Sequence, residues 1–339
     1  MTAHTPAGAA FANIFVSGRR IARTAVHHGV LRYRLRLPPG SYTIKVNFVY
    51  APNRVAGSAT ARDVWLLPQS AKRAAPARSP DRAFSGRLAG LARSFNGYSA
   101  MWVQDLSSGR SGEWNADARI PAASTVKLAV LIAALRKLGP RPERSVVAYD
   151  LRALAGLSSN LASNRLLVAI GGSEAGGSAI AQAVLDALGA HSSTFTGDYR
   201  IGTAFRPFDP RNRPPLISSR VTTVRDLGRI LYQLHTAALG KKPALRMTGL
   251  SQHEARIALG LLLRSEPAGD NLGLFRSALG KTFPLAQKNG WFSAVRHTAG
   301  ILYSTDGPRI AVLLTYRPGL TRLEAARLGA KLVNLALAT

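Results

Sequence analysis

A serine and a lysine three residues apart, Ser124 and Lys127, form the first pattern in this chain that could do chemistry. They open an apolar run from Leu128 to Leu138, which predicts a helix. On a helix the two side chains share one face about a turn apart, which suits a serine nucleophile activated by a neutral lysine amine. The alternative is that Ser124 only caps the helix and that Lys127 is a solvated first-turn residue. The tetrapeptide alone leaves both interpretations open.

Two later motifs favour the catalytic interpretation. The second motif is Ser158-Ser159-Asn160, and the third is Lys288-Asn289-Gly290-Trp291, just ahead of a predicted strand. Each pattern arises often by chance, so the order and the flanking sequence carry the weight. Together the three motifs resemble those of the class A active-site serine β-lactamases and the penicillin-binding D,D-peptidases, whose pattern is Ser-x-x-Lys, Ser-Asp-Asn and Lys-Thr-Gly.

Flanking residues extend this resemblance to roughly Phe84 to Thr339. The run from Ile120 to Ala123 looks like the family's approach to the nucleophile, and Ala162 and Asn164 look like its second-motif helix. The resemblance implies an α+β fold with a three-layer α/β/α architecture, in which an antiparallel sheet is combined with a helical subdomain.

The resemblance assigns the bond-making chemistry to four residues. Ser124 would attack a carbonyl and become an acyl ester, while Lys127 would take its proton. For that, burial and nearby positive charge must lower the pKa of Lys127. Ser158 would relay a proton to the leaving nitrogen, and Lys288 would hold Ser158 electrostatically. The backbone amides of Ser124 and Trp291 would form an oxyanion hole.

Substrate contacts are expected around these four residues. Asn160 would orient Lys127 or the substrate amide, and a substrate carboxylate would lie near Lys288. Arg296 follows the third motif and could anchor that carboxylate; the alternative is that it is one surface arginine among many. The predicted substrate-binding set is therefore Asn160, Asn289, Gly290, Trp291 and Arg296.

Three departures from the family pattern bear on activity. Ser159 replaces an aspartate and Asn289 replaces a threonine or serine, but neither change removes a group that forms or breaks a bond. The graver departure is the lack of a glutamate at 191–220, where class A β-lactamases carry the Glu-x-x-Leu-Asn motif that activates the deacylating water. The carboxylates of this stretch are Asp198 and Asp209, for which loop or capping roles are expected. Acylation without efficient deacylation is the resulting expectation.

The pattern along the chain predicts three parts. Residues 1–67 are expected to form a small β domain, because apolar residues alternate from Leu31 to Leu37 and from Ile44 to Phe48, as in a hairpin. With its Leu-Pro-Pro-Gly-Ser-Tyr turn, this pattern resembles the small immunoglobulin-like sandwiches attached to bacterial surface enzymes, which implies an immunoglobulin-like domain. Residues 68–83 form a Pro/Ala/basic run typical of a semi-extended linker. Residues 84–339 are expected to form the hydrolase domain. Its predicted helices lie near 84–95, 128–138, 158–170, 175–188, 223–239, 251–263 and 322–337, and its predicted strands near 98–105, 291–303 and 309–315.

Composition narrows the possible partners. The chain has no cysteine, which excludes disulfides and thiolate chemistry, and its seven histidines show no metal-binding spacing, so we expect neither a metal nor a cofactor. The net charge of +28 favours attraction to polyanions such as cell-wall polymers. The sequence contains no arginine-rich block with interleaved aromatic residues, so it does not indicate nucleic-acid binding. We expect no transmembrane segment and see no signal peptide, although the resemblance implies an extracytoplasmic or envelope-associated protein.

Two functions from different classes fit these residues. The leading hypothesis is a serine hydrolase that is acylated by β-lactams, peptidoglycan stem peptides, or related amides and esters. The alternative is a non-catalytic protein that binds cell-wall peptides. The presence of all four predicted catalytic residues favours the hydrolase. The changes in the second and third motifs favour the binding protein.

Overall fold

The computed structural model describes residues 1–51, 53–199, 220–264, 269–280 and 282–338, so Asp209 lies outside the described residues. The chain forms two compact units. The first comprises Met1–Pro68 with Thr282–Pro284, and the second comprises Gln69–Lys281 with Leu285–Thr339. No described helix combines the length and the hydropathy needed to cross a membrane.

The first unit is built from β-strands. They are β1 Thr2–His4, β2 Phe11–Val16, β3 Arg19–Ala25, β4 Val30–Arg32, β5 Gly40–Val49 and β6 Val55–Leu66. Four of them form an antiparallel sheet in the order β3-β2-β5-β6, and β1 pairs with β4. Ala12, Leu31, Val46 and Phe48 are buried together as its core.

The predicted hairpin between 31–37 and 44–48 is not found. Strand β4 ends at Arg32 and pairs with β1, whereas β5 pairs with β2 and β6. Tyr33, Leu35 and Leu37 are nonetheless half-buried between exposed arginines, as their alternation predicts. Alternation shows which side of a chain faces the core, but it does not specify the strand that pairs with it.

The second unit confirms the predicted α+β architecture. Its helices are α1 Arg82–Arg93, α2 Lys127–Leu138, α3 Ala148–Gly156, α4 Asn160–Gly171, α5 Glu174–Ala187, α6 Val224–Ala238, α7 Lys242–Thr248, α8 Gln252–Leu263 and α9 Arg322–Leu337. Its strands are β7 Tyr98–Asp105, β8 Ser111–Trp114, β9 Ile120–Pro121, β10 Val221–Thr222, β11 Leu285–Phe292, β12 Val295–Tyr303 and β13 Pro308–Tyr316. The sequence pattern missed α3 and α7.

Helices cover both faces of a five-stranded antiparallel sheet, whose order is β11-β12-β13-β7-β8. Phe84 of α1 packs against Gly112, which is opposite Val103 in the sheet. Gly228 of α6 packs against Trp102. Because neighbouring strand residues point to opposite faces, α1 and α6 lie on different sides. Helix α9 packs with α1 and the sheet, which completes three layers.

The segment expected to be a semi-extended linker is instead hydrogen-bonded along the second unit. The Ala75 N–H donates to the Leu106 carbonyl at 2.7 Å, and the buried His235 contacts the Arg73 carbonyl through Nε2 at 2.9 Å. Asp81 then caps α1 by accepting from the Phe84 N–H at 2.7 Å. Proline-rich sequence prevents regular structure, but its carbonyl groups can still bond to a neighbouring surface.

Helix α2 is the central helix of the helical region. Every residue from Lys127 to Leu135 is buried, and α2 packs with α3, α4, α5 and α8. A helix covered on all sides needs apolar residues all round, which explains the uninterrupted apolar run. The first motif therefore leads directly into the most enclosed helix of the unit.

Candidate active site

Ser124 lies in a tight turn immediately before α2. The turn requires an unusual backbone, since Ala123 has a positive φ of 48°. It is closed by the Thr125 hydroxyl, which donates to the Ala122 carbonyl at 2.7 Å, and by the Lys127 N–H, which donates to the Ser124 carbonyl at 3.2 Å. The residue at the N-cap position is Val126, so Ser124 does not cap the helix. Its side chain is partly exposed beside the positive end of α2.

Lys127 is completely buried, which excludes the solvated alternative. Its Nζ donates to the Ser158 carbonyl and to Asn160 Oδ1, each at 2.7 Å. Burial, followed by the positive charges of Lys288 and Arg220, holds the pKa of Lys127 well below its usual range. A neutral amine has two N–H groups and one lone pair. The two hydrogen bonds therefore occupy both N–H groups and leave the lone pair available to accept a proton.

Ser158 joins the two buried lysines. Its carbonyl accepts from Lys127, and its hydroxyl oxygen accepts from Lys288 Nζ at 2.5 Å. The residue has a positive φ of 58°, a conformation rare outside glycine. The next residue, Ser159, caps α4 by accepting from the Ala162 N–H at 3.2 Å. The serine that replaces the family's aspartate therefore still supplies a capping oxygen.

Lys288 is located within strand β11, not ahead of a strand as the sequence suggested. It is only 1% exposed, and its Nζ also donates to the Asn289 carbonyl at 2.7 Å. Burial lowers the pKa of Lys288 to about 7. An ammonium group in this environment is much easier to deprotonate than an exposed one.

Gly290 brings β11 against the backbone of Ser124. A Cβ atom at this position would lie 2.9 Å from the Ser124 nitrogen and 3.1 Å from the Thr125 nitrogen. Real Cβ atoms do not tolerate the shorter of these distances, so the close approach requires glycine. Strand β11 is an edge strand among the described strands, and this close approach places it directly beside Ser124. Trp291, the next residue, is half-buried.

Asn289 and Arg296 lie away from Lys288. Alternation along β11 places Asn289 and Trp291 on the face opposite to Lys288, and Arg296 is paired with Trp291 on that same face. The Asn289 amide donates to the Asn271 carbonyl at 2.7 Å and accepts from the Thr298 hydroxyl at 2.9 Å. Arg296 donates to the Phe292 and Val295 carbonyls of its own hairpin. The structure thus brings together Ser124, Lys127, Ser158, Asn160, Lys288 and Gly290, but not these two side chains.

Sequence reasoning missed an aromatic residue beside Lys127. The ring centroid of Tyr199 lies 4.2 Å from Lys127 Nζ and 4.1 Å from the Arg220 guanidinium carbon. The side-chain amide of Asn164 holds the Tyr199 backbone by accepting from its N–H at 2.8 Å and donating to its carbonyl at 2.7 Å. Asn164 belongs to the second-motif pattern, but nothing in the sequence indicates which loop residue it holds. Asp198 contributes its carbonyl, which accepts from Arg220 at 2.8 Å.

A second missed residue, His297, supports the turn that contains Ser124. Its Nδ1 accepts from the Thr315 N–H at 3.2 Å, so Nε2 carries the proton and donates to the Pro121 carbonyl at 2.9 Å. Burial lowers the pKa of His297 to about 4. A neutral imidazole therefore connects β12 to the strand that leads to Ser124. A lone histidine in a strand carries no sequence signal for this role.

The described residues contain no group of three histidine, aspartate or glutamate side chains positioned to hold a metal ion. The polar groups that converge here are instead hydroxyls, amines and amides: Ser124, Ser158, Lys127, Lys288 and Asn160. This set can transfer protons between a hydroxyl and an amine.

Comparison with known proteins agrees with this arrangement. The model of the beta-lactamase enzyme family matches residues 83–142 and 141–338. No curated protein matches the chain. A structure of PBP-A is similar at a TM-score of 0.60 and 17% identity, covering 81% of this chain and 100% of PBP-A. A PBP-A mutant in an acyl-enzyme complex with penicillin G has a TM-score of 0.59 at 17% identity, over 78% and 100% of the two chains.

An ancestral class A β-lactamase is similar at a TM-score of 0.57 and 20% identity, covering 75% of this chain and 99% of its own. At such low identities the similar structures support only the fold. The match to the family model is what supports membership of the family. This match covers nearly all of the second unit, including the segments that carry Ser124, Ser158 and Lys288. On these grounds the chain belongs to the beta-lactamase enzyme family.

Proposed function

We propose that the protein is a serine hydrolase that is acylated at Ser124 by β-lactams or by the stem peptides of peptidoglycan. The observation that carries the proposal is that two buried lysines, Lys127 and Lys288, both donate hydrogen bonds to Ser158. Lys127 also follows Ser124 by three residues in the chain. The beta-lactamase family membership supports a hydrolase of this class. The acyl-enzyme complex of a PBP-A mutant with penicillin G supports the choice of β-lactam as probe.

Acylation begins at the Ser124 hydroxyl. The neutral amine of Lys127 takes the hydroxyl proton as Oγ forms a bond to the carbonyl carbon. The negative charge that develops on the carbonyl oxygen would be stabilised by the backbone N–H groups of Ser124 and Trp291, beside the N-terminal end of α2. The close contact of Gly290 with the Ser124 nitrogen supports this placement of the two amides.

Collapse of the tetrahedral intermediate breaks the carbon–nitrogen bond. Ser158 donates its hydroxyl proton to the leaving nitrogen. The proton that Lys127 took from Ser124 then replaces it on the Ser158 hydroxyl; the hydrogen bond from Lys127 to the Ser158 carbonyl supports this transfer by keeping the two residues adjacent. The hydrogen bond from Lys288 to Ser158 Oγ leaves the hydroxyl hydrogen free for this transfer. The net result is an ester on Ser124 and a neutral leaving amine that has gained one proton, with both lysines restored.

Hydrolysis of the ester is expected to be slow. Among the described residues of the segment after α5, the side chain that lies against Lys127 is the ring of Tyr199, not a carboxylate. We further propose that the substrates are reached at the cell envelope, where peptidoglycan lies, and that the strongly basic surface favours contact with its anionic polymers.

Mass spectrometry of the intact protein with benzylpenicillin tests the acylation step. We expect a stable adduct on Ser124, and none in Ser124→Ala. A fluorescent penicillin provides the same comparison in gels. Rapid turnover without an adduct would refute slow deacylation. An unchanged mass without turnover would refute Ser124 as the nucleophile and would favour a non-catalytic peptide-binding protein.

A further inference from the structure

We propose that the ring of Tyr199 excludes water from the amine of Lys127 and thereby gives the acyl-enzyme a long lifetime. This inference rests on the proposed function, because it concerns the ester formed on Ser124. It assigns to one aromatic residue the control over whether the protein retains or releases its acyl group.

The distance between ring and amine leaves no room for a water molecule. Lys127 Nζ lies 4.2 Å from the centroid of the Tyr199 ring. A water bound to the amine needs about 2.8 Å from its oxygen to Nζ, and as much again to reach the ring surface. A water activated by Lys127 from this side would therefore overlap the ring.

The ring is held in this position by several contacts. The Arg220 guanidinium lies over the same ring, and Phe195 packs edge-on against it with 5.9 Å between centroids. Arg220 also accepts from the Ala122 N–H through its carbonyl at 3.0 Å, next to the turn of the nucleophile. The short strand pair β9–β10 fixes this neighbourhood, since Pro121 pairs with Val221.

The Tyr199 backbone is fixed independently of its side chain. Both hydrogen bonds from the Asn164 amide go to the main-chain N–H and carbonyl of residue 199. Because these bonds involve only main-chain atoms of residue 199, a substitution there leaves both bonding partners of Asn164 in place. We therefore expect a carboxylate introduced at this position to lie near Lys127, where it could serve as a general base.

Tyr199 does not act as that base itself. The phenol is buried, and burial raises its pKa above the ordinary value although Arg220 opposes this change. The hydroxyl keeps its proton throughout the physiological range. A phenol in this state cannot activate water, so its main effect on the ester is to occupy space.

The lifetime of the benzylpenicillin adduct in variants of Tyr199 tests the inference. Intact-mass measurements after removal of free penicillin give the lifetime on whatever fraction is labelled, so it does not depend on the acylation rate. We expect Tyr199→Glu to shorten the lifetime by about 100-fold, within the range of general-base contributions. Tyr199→Ala is expected to shorten it less, because it admits water without adding a base.

Tyr199→Phe is the matched control, since it keeps the ring and removes only the hydroxyl. We expect its adduct to be as long-lived as that of the wild type. Equal lifetimes in the Glu, Ala and wild-type proteins would overturn the role of Tyr199, and so would rapid loss of the adduct in Tyr199→Phe. Failure of the wild type to form any adduct would instead overturn the proposed function, so the two failures are distinguishable.

Discussion

Replacing Lys288 with methionine tests whether burial of this lysine lowers the free energy of unfolding. Lys288→Met keeps the length of the side chain and removes the amine. The wild-type side chain is 1% exposed, and burial lowers its pKa to about 7, against an ordinary value of 10.5. Each unit of pKa corresponds to about 1.4 kcal/mol, so the buried charged form is disfavoured by roughly 5 kcal/mol.

The sign of the pH dependence follows from where the proton is held. Between about pH 7 and 10.5 the unfolded chain keeps the proton on Lys288, and the folded protein releases it. The free energy of unfolding of the wild type therefore rises with pH across this window. Relative to Lys288→Met, it should increase by about 3 kcal/mol from about pH 7 to about pH 9.5. Lys288→Met also removes a positive charge that helps to lower the pKa of Lys127. The free energy of unfolding of the variant therefore rises less with pH, which enlarges the expected difference between the two proteins.

Urea unfolding of the two proteins at both pH values measures this difference. The variant also loses the hydrogen bonds that Lys288 makes to Ser158 and Asn289, and this loss adds a constant difference in the free energy of unfolding. The decisive quantity is therefore the change of the difference with pH. The matched control is Lys137→Met, at an exposed position near the end of α2, for which we expect no such change. A pH-independent difference between the wild type and Lys288→Met would refute the argument that burial depresses this pKa.

Two further substitutions test the geometry around Ser124 and Lys288. Gly290→Ala places a Cβ 2.9 Å from the Ser124 nitrogen, so we expect loss of labelling by fluorescent penicillin, whereas Gly280→Ala, with nothing within 4 Å, should label normally. Equal labelling would contradict the close approach of β11. Asn289→Thr is too short to reach Asn271 and leaves buried polar groups unpaired, so we expect a loss of about 1–3 kcal/mol in the free energy of unfolding. Unchanged stability in urea would argue against this placement of Asn289.

Local patterns made the first two motifs and most helices predictable from the sequence. Ser124 and Lys127 lie within the four residues that lead into α2, and the final helix was predicted with the bounds that the structure shows, Arg322–Leu337. Errors arose where pairing partners are distant in sequence. The strand that pairs with β4 and the surface that binds the 69–81 segment both depend on parts of the chain that local periodicity does not report.

The sequence by itself determined which groups are available: a serine and a lysine one turn apart, a second serine, a second lysine, and no glutamate at 191–220. Only the tertiary structure decided what these groups can do. Burial lowers the pKa values of both Lys127 and Lys288, and the positive charges of Lys288 and Arg220 lower that of Lys127 further; both effects require elements far apart in the chain to meet. The position of Tyr199 against Lys127 likewise depends on a hydrogen-bonded contact with Asn164. Charge and solvent access are properties of packing, so the order of residues alone does not contain them.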